Sequence, residues 1–151
     1  MRAFLLVKLY EISKKPYQKY IKKNKPWEIS AEDLLKYPNH TLGFHLSCFL
    51  LKNSFELQPK LESHDVYHVL TNTGVSVTEE INMQYYFLGN GKHSLYMFTV
   101  IGIGTLLYPN HFKNFKHAYH RGNKSLKFHQ IDFSKLLHLP IQRIRNTFLI
   151  Q

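Results

Sequence analysis

The amino-acid sequence predicts an all-α protein, a single-domain bundle of about six or seven helices over residues 1–151. Three observations carry this prediction. Apolar residues recur at helical spacing in one segment after another, and no set of alternating strands is available to form a sheet. Many of these segments open on a capping side chain (Ser30, Thr41, Ser63, Ser76) and stop at Pro or Gly. A chain of 151 residues, 44% apolar and 15% aromatic, is long enough to bury one core, while seven Gly, six Pro and the lack of internal repeats argue against a loop-rich or solenoid protein. At about 11–12 residues per helix plus loops, that length gives the helix count.

The elements follow in order. Residues 3–23 read as a helix in two parts, with Phe4, Leu5, Leu6, Leu9 and Ile12 on one stripe, Lys8 and Lys15 opposite, and Pro16 kinking or restarting it. Pro26 ends this segment, which makes residues 1–26 a basic N-terminal amphipathic unit. Ser30 opens SAEDLLKYP with Asp33 at the capping-box position, and Pro38 stops it. Thr41 caps LGFHLSCFLLKN, a largely apolar helix expected to be buried, with Cys48 packed inside it as a small hydrophobe. Ser63 is the expected N-cap of a helix over His64 to Leu70. TNTG breaks that helix, with Gly74 able to take positive φ. Ser76-x-x-Glu79 is a capping box that restarts a helix through TEEINMQYYFL to Gly89-Asn90-Gly91. LYMFTVIGIGTLLY, residues 95–108, is too short to span a bilayer in the usual way and reads as a buried helix in which Gly102 and Gly104 admit another helix or a lipid chain. The segment 111–125 alternates Lys and Arg with aromatics and is expected to close at Gly122. FSKLLHLPIQRIRNTFLIQ gives a short helix, a turn at Pro140 and a last amphipathic segment.

Charge is unevenly spread. The net charge is +10, and residues 1–25 hold Arg2, Lys8, Lys14, Lys15, Lys19, Lys22, Lys23 and Lys25 against Glu11 alone. Such a segment attracts phosphate, on an anionic membrane surface or in nucleic acid. With no nucleic-acid motif in the chain, the membrane is the expected partner and nucleic acid is not. No secretory signal is read at the N-terminus, because Lys8 interrupts AFLLV and no small-residue cleavage site follows. Cys48 is the only cysteine, so no intrachain disulfide forms, and a reducing compartment fits. The acids gather elsewhere: Glu56, Glu62, Asp65, Glu79 and Glu80 are five of the ten, and after Glu80 the only carboxylate is Asp132.

Those acids surround HDVYHVLTNTGVSVTEE, residues 64–80. On a helix His64 and His68 are four apart and share a face, so both imidazoles can reach one ion. Asp65 lies about 100° around and either binds between the faces or orients a ligand. Two helices joined by a short turn fold back antiparallel, which returns Glu80 to the level of His68 while Glu79 serves the cap. The expected metal site therefore lies between two helices joined by a short turn. Two His with one or two carboxylates suit Zn²⁺, Fe²⁺ or Mn²⁺. A two-His-one-carboxylate set leaves coordination positions open, whereas a set including both Asp65 and Glu80 is more nearly closed. Ten histidines in the chain make a nearby pair unremarkable by itself. The HD pair also begins one segment of HD-type phosphohydrolases, but those need a further His and a distant Asp, and no second HD follows.

H-D-x-x-H, eleven residues, then Glu resembles the signature of the ubiquinone (coenzyme Q) biosynthesis Coq-four family. LLKYPNHTLGFHLSCFL is similar to that family's L-x-x-x-P-x-x-T-L-G segment, and HVLTNTG to its turn after the second histidine. The similarity covers roughly residues 30 to 105, with a fainter echo to the C-terminus. The chain departs from the pattern at Leu61-Glu62-Ser63, where Arg and Tyr commonly precede H-D, and at Glu79, where Gly is common. The resemblance implies an all-helical fold and a divalent metal, usually zinc, held by His64, Asp65, His68 and Glu80. It also implies removal of the C1 carboxyl of a polyprenyl-hydroxybenzoate with hydroxylation at that carbon, the work of a lyase of the 4-hydroxy-3-methoxy-5-polyprenylbenzoate decarboxylase type. The alternative is a non-catalytic isoprenoid-binding or scaffold protein with a structural metal. Expected partners are a polyprenylated quinone precursor or isoprenoid lipid, in a groove near Gly102 and Gly104, and other quinone-biosynthesis proteins, with a homodimer also entertained. The expected location is cytoplasmic, peripheral to the inner membrane of a bacterium.

Overall fold

The computed structural model describes residues 25–151; the sequence-predicted helix over 3–23, with most of the basic segment 1–26, lies outside the described residues. Among the described residues the fold is all-helical, without a strand. Seven α-helices run in the order α1 (Ala31–Leu35), α2 (Leu42–Asn53), α3 (Glu62–Thr71), α4 (Val77–Gly89), α5 (Leu95–Leu107), α6 (Phe112–Lys124) and α7 (Ile141–Thr147). Single 3₁₀ turns stand at Pro109–His111 and Phe133–Leu136.

Three of the predicted caps form. Ser30 and Asp33 make the full reciprocal box on α1. Thr41 Oγ1 accepts from the Phe44 N–H, and Ser76 Oγ from the Glu79 N–H. The fourth does not: α3 starts at Glu62 with Leu61 as its N-cap residue, so Ser63 lies inside the first turn. The cause is the turn before it. Lys60 takes a left-handed φ of 68°, and the buried Glu62 accepts from the Trp27 N–H at 2.8 Å, which draws the helix start two residues upstream. At the other end, positive φ falls on Asn72 (52°) and not on Gly74; Asn tolerates the left-handed region through local hydrogen bonds of its side chain.

The core joins Leu34, Leu42, Leu46, Leu50, Val66, Leu70, Met83, Phe87, Phe128, Phe133 and Ile144, so every helix except α5 and α6 places a large aliphatic or aromatic side chain in it. The C-terminal segment is tied to the start of α2 by Leu42 N–H to Leu139 O, Gly43 N–H to Leu137 O and Ile141 N–H to His40 O. The α2 face away from the core is exposed, Cys48 included, which corrects the expectation that Cys48 packs inside.

Helices α4 and α6 cross at backbone contact. A Cβ on Gly122 would stand 1.8 Å from Tyr86 O, and one on Gly89 would stand 2.1 Å from Tyr119 O. Gly122 therefore does not close α6, which runs on to Lys124; its place is the crossing. Helix α5 also departs from expectation. It is a helix, but it is not buried: Leu95 is 85% and Leu106 81% exposed, and only Met97 and Gly104 are buried. Gly104 sits against Ile81 of α4, where a Cβ would lie 2.8 Å from the Ile81 side chain, while Gly102 meets nothing within 4 Å. No helix of the described residues is long and apolar enough to cross a membrane.

The glycine contacts predict opposite outcomes for one kind of change. Gly122→Ala should cost about 3 kcal/mol or more, because backbone must move, and lower the melting temperature by roughly 10 °C. Gly102→Ala should be neutral or stabilise by up to about 1 kcal/mol through helix propensity. Thermal melts of the two variants check this, and equal shifts would contradict the crossing.

Candidate metal centre

Helix α3 presents His64 and His68 from one face, and the turn 72–76 returns the chain so that the first turn of α4 lies opposite. Glu80 then stands between the two rings. Its Oε2 lies 3.3 Å from His64 Nε2 and its Oε1 3.1 Å from His68 Nε2. The ring centroids are 4.8 Å apart. One ligand atom from each of the three residues falls within 4.8 Å of the other two, close enough for one ion. Asp65 is not brought into that group: its Oδ1 lies 3.6 Å from His64 Nδ1, on the far side of the ring from Glu80. Asp65 thus stands behind His64, where it could orient the ring.

The surroundings set which nitrogen of His68 carries its hydrogen and how His64 holds its proton. His68 is buried, its Nδ1 is 3.1 Å from Thr73 O, and Phe49 of α2 stacks on its ring at 5.3 Å. A carbonyl oxygen only accepts, so Nδ1 carries the hydrogen, and in the neutral ring Nε2 presents a lone pair toward Glu80. A lone pair facing a carboxylate at 3.1 Å needs a cation between them, either a second proton or a metal. The residues present therefore fit a divalent ion with N and O donors, and the Nδ1–carbonyl bond is the usual outer support of a metal-bound histidine. At His64, burial pushes the pKa down, but hydrogen bonds to Asp65 and Glu80 outweigh it and hold the imidazole up at about 9. For Glu80 burial pushes up, and the bonds to both histidines outweigh it and bring the carboxyl down to about 2. His64 and Glu80 remain about one-third exposed, so the centre opens to solvent on one side.

Glu79 behaves as half of its predicted cap. Its N–H is bonded to Ser76, but its carboxylate accepts from Asn82 Nδ2 at 3.1 Å and does not return to the Ser76 N–H. It faces a separate polar cleft of about 210 Å³, lined also by Thr73, Asn82, His117 and Arg121.

Residues with no signal in the sequence complete the support. The last carbonyls of α3 lack intrahelical partners and are met by arginines from the distant C-terminal half. Arg145 donates to Leu70 O (3.0 Å) and Val69 O (2.8 Å), and Arg121 to Thr71 O (3.0 Å). Phe49 could have been suspected from its place in the apolar helix; the Thr73 carbonyl and the two arginines could not.

The family model for coenzyme Q (ubiquinone) biosynthesis protein Coq4 matches residues 54–151. The match starts later than the resemblance read from the sequence and runs through to the last residue, so it includes all four of His64, Asp65, His68 and Glu80 and leaves out the T-L-G segment. Among solved structures, the chain is similar to a crystal structure from Nostoc punctiforme of a protein named for ubiquinone biosynthesis, with a TM-score of 0.72 at 21% identity, over 100% of this chain and 82% of that one. At that identity the likeness speaks for the fold. Among curated proteins nothing matches.

Two pH dependences follow from the centre. In chelator-treated protein, the Glu80 contribution to stability is complete above its ordinary 4.5 and is lost as pH falls through about 2. That of His64 is complete below its ordinary 6.5 and is lost as pH rises through about 9. Denaturant unfolding should therefore show a contribution from this pair that is greatest between those ordinary values, and Glu80→Gln should flatten both limbs. When zinc is added near pH 7, His64 must give up its proton, so calorimetry in buffers of different ionisation enthalpy should report release of about one proton per ion. Release of none would contradict the geometry.

Proposed function

This chain belongs to the Coq4 family of coenzyme Q (ubiquinone) biosynthesis proteins, and on that premise we propose that it acts in C1 decarboxylation, with hydroxylation at that carbon, of a polyprenyl-hydroxybenzoate precursor at a membrane surface. The observation that carries the reading is Glu80 held between His64 Nε2 and His68 Nε2 at 3.3 and 3.1 Å on a face open to solvent. A divalent ion there (zinc, iron or manganese) would supply Lewis-acid stabilisation of the charge that develops as the ring carboxylate leaves as CO₂. The hydroxyl gained by the ring carbon requires a two-electron oxidant from solution; with dioxygen, the ring acid, O₂ and water would give the phenol, CO₂ and hydrogen peroxide.

The chain's own residues have definable parts in this. Thr73 O keeps the hydrogen of His68 on Nδ1 and so leaves Nε2 for the ion. Phe49 stacked on the ring keeps it from turning. Asp65 steadies His64 from its Nδ1 side. His64 and Glu80 form the open rim that an aromatic acid would meet. The anionic, membrane-borne substrate fits a protein of net charge +10. We place it peripheral to the inner membrane on the cytoplasmic side, together with other quinone-biosynthesis proteins.

One observation favours a second reading, an isoprenoid-binding or scaffold protein in which the metal is structural. The apolar α5, open beside Gly102 and seated at Gly104 against the residue next to Glu80, could hold an isoprenoid chain without any chemistry at the centre. The two readings part on two measurements with purified full-length chain. If the centre is catalytic, one divalent ion is bound per chain, His64→Ala and His68→Ala each lose it, and the loaded protein turns over a polyprenylated hydroxybenzoate while the variants fall at least 100-fold. If metal-loaded protein is inert on that substrate and chelator lowers its melting temperature by more than about 10 °C, the scaffold reading holds.

A further inference from the structure

Helix α5 is apolar on both sides. Its inner side, through Met97 and Gly104, packs on α4, and Gly104 receives Ile81. Leu95, Phe98, Gly102 and Leu106 lie at i, i+3, i+7 and i+11, a single stripe on the opposite side. That stripe is outward: Leu95 is 85%, Phe98 49% and Leu106 81% exposed, and Gly102 looks into open space. A surface helix ordinarily shows water a polar face, and α5 has no charged residue in its 13 positions. Its two threonine hydroxyls are satisfied within the fold. Thr99 Oγ1 donates to Leu95 O, and Thr105 Oγ1 donates to Ile101 O and pairs with Tyr85 OH. The helix thus presents an outward hydrocarbon stripe with no charged side chain in it.

Its length is about 20 Å at 1.5 Å per residue, short of the roughly 30 Å of a bilayer core. With its inner side held on α4, a helix this short can enter a bilayer only by its outer stripe, lying along the interface. The chain leaves α5 through Pro109–His111 into α6, whose first turns add exposed Phe112 and the exposed cations Lys113 and Lys116. From Ile81 to the last residue there are nine Lys and Arg, and Asp132 is the single acid. An exposed apolar stripe followed along the chain by exposed lysines, in a half of the chain almost free of carboxylates, is complementary to an anionic lipid surface.

We propose that α5 is an in-plane membrane-docking helix, inserted by Leu95, Phe98 and Leu106 and held by Lys113 and Lys116 to anionic headgroups. This deepens the peripheral membrane role proposed above and rests on it. It moves the principal contact from the basic N-terminal segment to a helix that touches Ile81, one residue from Glu80, so a substrate tail resting in the bilayer would lie beside the candidate centre.

Vesicle co-sedimentation of the full chain tests this with phosphatidylglycerol–phosphatidylcholine and pure phosphatidylcholine vesicles. Mixed vesicles should bind wild type at least ten times more tightly than neutral ones. Leu95→Glu with Leu106→Glu should weaken binding at least tenfold at an unchanged melting temperature. Lys113→Glu with Lys116→Glu should weaken it severalfold on mixed vesicles alone. Gly102→Leu, which fills open space, should strengthen it severalfold. Binding that all these variants leave untouched would overturn α5 as the docking helix while the membrane role survives. No binding by wild type would overturn both. Dimerisation that the Leu95/Leu106 variant abolishes, without any vesicle binding, would assign the face to a second copy and overturn the inference.

Discussion

The backbone crossing of α4 and α6 is the constraint on which the rest of the arrangement depends. Gly89 meets the Tyr119 carbonyl and Gly122 the Tyr86 carbonyl, and neither position has room for a Cβ. Close approach there sets two things. It fixes the axis of α4, and with it the height at which Glu80 enters the site one turn inside that helix. It also places α6 so that Arg121 reaches the Thr71 carbonyl at the end of α3. The helix that carries the histidines and the helix that carries the carboxylate are thus registered through a third helix that holds no ligand. Arg145, from α7, completes the cap on α3 and ties the C-terminal segment into the same frame.

Within that frame the centre is governed by one electrostatic demand. A carboxylate lies between two imidazoles, and the ring of His68 is held by Thr73 O so that its lone pair points inward. Without a metal, protons must supply the missing positive charge, which is why His64 is held up at about 9 and Glu80 down at about 2. A divalent ion held by His64, His68 and Glu80 would answer the same demand. Asp65 then acts on His64 from behind. His64, His68 and Glu80 would then make a two-histidine, one-carboxylate set, the more open of the two ligand sets the sequence allowed.

Much of this was legible before the structure. Helical spacing and caps at Ser30, Thr41 and Ser76 are local signals, and they placed α1, α2 and α4. The four-residue spacing of His64 and His68 and the short turn to Glu80 were sufficient to bring the three residues together. What sequence could not carry was long-range. The true start of α3 depends on Glu62 bonding Trp27, 35 residues away. The role of Gly122 depends on a carbonyl of α4, and the arginine caps bridge 50 to 76 residues. Helix α5 misled for a different reason. Composition alone says that an apolar helix is buried, but burial needs a partner on each side, and among the described residues the outer stripe of α5 stays exposed while its inner side meets α4.

The central claim is that His64, His68 and Glu80 bind one divalent ion with Asp65 outside the coordination sphere. X-ray absorption spectroscopy of the zinc-loaded full chain tests it most directly. The account predicts two imidazole nitrogens at about 2.0–2.1 Å and carboxylate oxygen at about 2.0–2.2 Å, with a spectrum unchanged in Asp65→Asn and one imidazole fewer in His68→Ala. A zinc spectrum that loses an oxygen ligand in Asp65→Asn, or one that His68→Ala leaves unaltered, would contradict it.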